Sequence, residues 1–104
     1  MSVYYVQGLV NRPRVDVSQR SFGSEWQVVH AFLATDYDAL VLLIEELRAQ
    51  DCELHDVLVM PTIAAEYDGL KPACFDAALT QATETGKFLV FEPYAGPHGQ
   101  DGAA

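Results

Sequence analysis

Basic residues are scarce in this chain: six Lys and Arg stand against fifteen Asp and Glu, a net charge of −9 over 104 residues. Such a body repels nucleic acid and anionic membrane at long range, so direct nucleic-acid or membrane binding is not expected. Cysteine is scarce as well. Two cysteines do not make a disulfide scaffold, and a reducing, cytoplasmic setting is the expectation. Long apolar runs are missing: the longest, Ala39 to Ile44, is far too short to span a bilayer. The first ten residues lack a basic stretch, and Gln7 interrupts their apolar run, so no secretory signal is expected.

Catalytic signatures are missing too. The chain has no Ser/His/Asp order, nucleophile elbow, glycine-rich phosphate loop or dinucleotide fingerprint. Cys52-x-x-His55 has the spacing of half a zinc site, but no second pair completes it. No catalytic residue, cofactor or metal is therefore assigned, and a non-enzymatic role is favoured.

What is present is an ordinary globular composition, 50% hydrophobic and 20% charged. Its size predicts one domain over residues 1–94, followed by a flexible tail over 95–104 rich in Gly, Pro, Gln and Asp. The charge is segregated. Residues 1–24 carry three arginines and one aspartate, a balance of +2, while residues 25–104 carry three cations and fourteen acids, a balance of −11.

Residues 2–10 read as a strand, rich in β-branched and aromatic side chains. The polar stretch 11–24 reads as a long loop or irregular hairpin arm, and 26–34 as a second strand that is apolar on both alternating faces. A helix from Thr35 to about Gln50 follows, with Thr35 as N-cap and Asp38 three residues on in a capping-box position. Its predicted buried stripe is Tyr37, Leu40, Ile44 and Leu47. Residues 55–63 form a third strand. A second helix is expected between Pro72 and Gly86, burying Phe75, Ala78, Leu79 and Ala82, and 87–94 is the last strand. The order is β-β-α-β-α-β, a small α/β domain with α+β as the alternative class. Strands alternating with helices predict that strands two, three and four run parallel, with the first added antiparallel at an edge of a mixed sheet. A two-layer sandwich with both helices on one face would leave an apolar sheet face uncovered, and this predicts a homodimer.

One phrase occurs twice. Leu33-Ala34-Thr35-Asp36-Tyr37-Asp38-Ala39-Leu40 is echoed by Ile63-Ala64-Ala65-Glu66-Tyr67-Asp68-Gly69-Leu70, with four of eight positions identical. Each copy follows an apolar run and so sits at the end of a strand. With parallel strands, Asp36, Tyr37, Asp38, Glu66, Tyr67, Asp68, Glu92 and Tyr94 gather along one edge, with His98 beyond them. Tyrosine offers contact area with a polar tip, and the carboxylates beside it suit a Lys/Arg-rich surface. Helix capping and the helix dipole account for the same acids without any partner. The expected function is thus an acidic interaction protein, an inhibitor, antidote, adaptor or nucleic-acid mimic, that binds a basic protein through this acidic-aromatic edge. A small dimeric enzyme or ligand-binding domain with its pocket at the same strand ends is the alternative.

Overall fold

The computed structural model describes residues 2–16 and 21–94. Two 15-residue strands, β1 (Ser2–Asp16) and β2 (Ser21–Thr35), form an antiparallel hairpin paired from Ser2↔Thr35 to Asp16↔Ser21. Strand β3 (Glu53–Ile63) pairs antiparallel with β1, and β4 (Lys87–Pro93) pairs antiparallel with β2, giving the order β3-β1-β2-β4. β3 reaches only as far as Asn11 and β4 only as far as Gln27, so the outer part of the β1–β2 hairpin projects as a two-stranded arm.

The α/β class and the order β-β-α-β-α-β are as read from the sequence, but strand direction and layering differ. Every neighbouring pair in the sheet is antiparallel. Strands β2 and β3 do point the same way, as a single intervening helix requires, but β1 lies between them. β4 points the other way because two passes, not one, separate it from β3. The chain leaves β3 through a short 3-10 turn at Ala64–Glu66 and runs through residues 67–74, outside helix and strand, before α2 (Phe75–Thr85), whose end brings Gly86 back to Ala34 at the end of the sheet where β3 finishes. An added pass reverses the strand that follows.

Helix α1 (Ala39–Ala49) begins one turn later than expected. Asp38, not Thr35, is its N-cap, with the carboxylate accepting from Leu40 N–H at 2.9 Å and Val41 N–H at 3.4 Å. Thr35 ends β2 and its Oγ1 accepts from Tyr37 N–H at 2.8 Å. Its buried stripe is Ala39, Leu43 and Leu47, with Leu40 and Ile44 half-buried beside it, and Tyr37 lies outside the helix. Helix α2 buries Phe75, Ala78 and Ala82, with Leu79 half-buried, the face its sequence predicts. It stops at Gly86, whose φ of 96° lies in the left-handed region that a side chain disfavours.

The strands' two-residue period divides the core. Val6, Val10, Val29, Ala31 and Leu33 pack with Leu43 and Leu47 of α1, while their sequence neighbours Tyr5 and Phe32 pack with Phe75, Ala78 and Ala82 of α2. The helices therefore lie on opposite faces, and the sandwich has three layers, not two. Both apolar sides of β2 are thereby covered, which removes the uncovered face from which a dimer is inferred. No helix among the described residues is long and apolar enough to cross a membrane.

Candidate functional site

Antiparallel pairing with the shared partner β1 fixes where the two copies of the repeated phrase lie. Thr35 stands opposite Ser2 and Ile63 stands opposite Tyr4, so β2 and β3 both finish at the end of the sheet where β1 starts. Two strand spacings, roughly 10 Å, separate them across the sheet. Asp36, Tyr37 and Asp38 leave from one of these tips, and Glu66 leaves from the other; all four are exposed, Tyr37 to 86%.

The two copies then diverge. Asp38 caps α1 on one face of the sheet. On the other face Tyr67 turns inward, its ring centroid 4.8 Å from that of Tyr5 and 5.9 Å from that of Phe75, and its hydroxyl donates to Leu70 O at 3.1 Å. Gly69 is required beneath this ring, because any Cβ there would collide with the Tyr67 phenol. Tyr67 is thus a packing residue and Tyr37 a presented one. Asp68 follows it and is exposed, as is Leu70 at 92%.

Glu92 and Tyr94 are not part of this end. Because β4 is antiparallel to β2, Glu92 stands opposite Val28, and the Tyr94 N–H bonds to Trp26 O. Val28 lies seven residues before Thr35, which places Glu92 roughly 23 Å from the acidic tips at strand rise. The expected gathering of three strand ends is thereby reduced to two. His98 lies outside the described residues.

Glu92 belongs instead to a polar chain through the sheet. Gln7 Nε2 donates to the Tyr5 hydroxyl at 2.9 Å, that hydroxyl lies 2.8 Å from His30 Nδ1, and His30 Nε2 lies 2.7 Å from Glu92 Oε1. With Gln7 donating to the phenol oxygen, the hydroxyl can donate to Nδ1, and in the tautomer that carries its N–H on Nε2 the imidazole donates to the carboxylate. Tyr5 is fully buried and His30 nearly so, while Glu92 reaches solvent. Burial pushes the Tyr5 phenol above its ordinary value of 10.0, opposed by the Gln7 hydrogen bond and reinforced by Tyr67, Glu92 and Cys74. A phenol held neutral is a donor and not a base. His30 shares one face of β2 with Trp26, Val28 and Phe32. Its partners Tyr5 and Glu92 become identifiable only once the register is known.

Two other sequence features resolve simply. Cys52 is buried in the α1 core, and its thiol is pushed up by that burial against the opposing charge of Arg12. His55 packs edge-on to Trp26 at 4.8 Å, and both cysteines are free. Among the described residues no group of three His, Cys, Asp or Glu is placed to hold a metal ion.

At the acidic end a groove of about 350 Å3 opens between α2 and the tips of β1 and β3, lined by Ser2, Val3, Ile63, Ala65, Leu79 and Thr83. No family model, curated protein or solved structure matches this chain.

Proposed function

We propose that this chain is a non-enzymatic interaction protein whose acidic end binds a basic protein surface. The observation that carries the reading is the shared register with β1, which brings Asp36, Tyr37 and Asp38 to the same end as Glu66. Local charge supports it: residues 33–40 and 63–70 contain four acids and no Lys or Arg. So does presentation, since an exposed tyrosine among carboxylates offers contact area while the acids steer a cationic partner. Glu92, Tyr94 and Tyr67 drop out of the contact set; the first two lie elsewhere, and the third is committed to packing.

Affinity capture at low and physiological salt tests this with the wild type and an Asp36→Asn/Glu66→Gln/Asp68→Asn variant. Asp38 is best left intact because it caps α1. A basic partner is expected on the wild type, weakened by salt and lost on the variant. Capture indifferent to both salt and substitution would rule the reading out.

A further inference from the structure

We propose that the outer edge of β4 pairs antiparallel with β4 of a second copy of this chain, joining two sheets across a two-fold axis at Val90. Helices cover both faces of the sheet, and its edges are where backbone is left to pair. The two edges differ. β3 carries Pro61 and three register shifts, whereas β4 runs in unbroken register with β2 from Lys87 to Pro93. Within it Phe88, Leu89, Val90 and Phe91 follow one another, all half-buried. Among the described residues β4 has a neighbouring strand on one side only.

The register fixes which backbone groups of β4 point outward. Ala34 N–H donates to Gly86 O and Tyr94 N–H donates to Trp26 O. Even-numbered residues of β4 therefore turn their backbone polar groups toward β2, and Lys87, Leu89, Phe91 and Pro93 turn theirs away. Two of these are exceptional. Pro93 has no N–H, and Lys87 O already accepts from Thr85 Oγ1 at 3.0 Å.

Antiparallel pairing about Val90 sets these two exceptions against each other. Leu89 faces Phe91 of the second copy, and the two exchange both backbone bonds, as do their symmetry equivalents. Lys87 faces Pro93 of the second copy. Its N–H donates to the proline carbonyl, and its own satisfied carbonyl meets the residue with no N–H to give. Centring on Leu89 instead would ask the Lys87 carbonyl for a second bond, from Phe91. An unrelated strand has no reason to place a proline there; this chain does. The side chains agree with the pairing, since Leu89 meets Phe91 on one face and no like charges stand opposite.

Helix α2 supplies a second, independent fit. It lies over β2 and β4, so across the axis the two α2 helices stand two strand spacings apart, roughly 10 Å, a normal helix-packing distance. Leu79 and Thr83 face the groove beside β1 and β3. At about 3.6 residues per turn, Ala77, Gln81 and Thr85 then look the other way, over the outer edge of β4. All three are exposed and uncharged.

Light scattering on the full chain over a concentration series is the first test. The mass is expected to rise from 11.4 kDa toward twice that value. Each copy carries −9, so the dimer should tighten as salt rises to the physiological range. That sign is opposite to the salt response of the acidic-end reading, on which this inference does not rest. Val90→Lys places like charges together at the axis, and Ala77→Glu/Gln81→Glu does so between exposed helix flanks; each should weaken the dimer about tenfold or more. Mild oxidation should cross-link Val90→Cys and not Glu92→Cys, because only position 90 meets its own copy at disulfide distance. The wild type, with Cys52 and Cys74 free, sets the baseline. In the unmodified chain, amide exchange at Leu89 and Phe91 should slow with concentration, a readout that needs no variant to fold. A monomer at every concentration, or protection of those amides that ignores concentration, would overturn the pairing. So would a dimer that survives both sets of charge substitutions, or cross-linking at position 92 in place of 90.

Discussion

Tyr5 sits where the demands of packing and polarity meet. Its ring contacts Phe32, Tyr67 and Phe75 at centroid distances of 4.8–5.2 Å, while its hydroxyl is shared between Gln7 and His30. Removing that hydroxyl leaves the buried His30 Nδ1 without a donor, a cost of about 1–3 kcal/mol. Tyr5→Phe should therefore lower stability at neutral pH by that amount, measured by chemical denaturation. The raised phenol pKa sets the alkaline behaviour. Above pH 10 the unfolded chain sheds this proton while the folded chain keeps it, so the Tyr5 contribution is complete below pH 10 and is lost as pH rises through the folded value. The gap between wild type and Tyr5→Phe should narrow above pH 10. A constant gap would show that the hydroxyl is not held as described. Asp38 gives a second residue-scale test. Asp38→Ala should cost about 1 kcal/mol and Asp38→Asn far less, because asparagine also caps well; equal losses in thermal melts would contradict the cap.

At the scale of elements, the end of α2 was legible in advance and the start of α1 was not. Gly86 has one reading after a helix, a left-handed terminator, and Gly86→Ala should destabilise by about 1 kcal/mol, again by thermal melt. Thr35 and Asp38 are both good N-cap residues, so the sequence alone does not choose between them. The choice follows from β2 continuing through Thr35, opposite Ser2. The face of α2 was readable from Phe75, Ala78, Leu79 and Ala82, since helical spacing there has no competing solution. Strand existence was equally readable, because β-branched and aromatic runs bounded by polar segments admit little else. Edge strand β3 carries three register shifts against β1, one of them spanning Pro61, and such bulges discourage further pairing on its open side.

For the whole molecule, direction was what the sequence hid. A helix between two strands is legible as one reversal, but the irregular stretch from Tyr67 to Cys74 has no periodicity to mark it as another. Missing that pass turned β4 over and placed Glu92 and Tyr94 at the wrong end. The two remaining acidic tips were foreseen together because β2 and β3 do share a direction. Charge is the other molecular-scale quantity. With a net charge of −9, self-repulsion opposes the compact state, and screening relieves it once the Debye length falls to about 8 Å at physiological salt. The melting temperature should rise from low ionic strength to that point; a fall would mean that ion pairs such as Lys87–Glu46 outweigh the repulsion.

Because β1 starts beside the groove and β4 finishes more than 20 Å from it, attachments at the two termini are not equivalent. A purification handle placed ahead of Ser2 adjoins the acidic end proposed for partner binding, whereas the last described residue at the other terminus, Tyr94, is bonded to Trp26 at the far end of β2. Immobilisation chemistry should be chosen accordingly, and a binding signal seen only with the carboxy-terminal handle is the behaviour this asymmetry dictates.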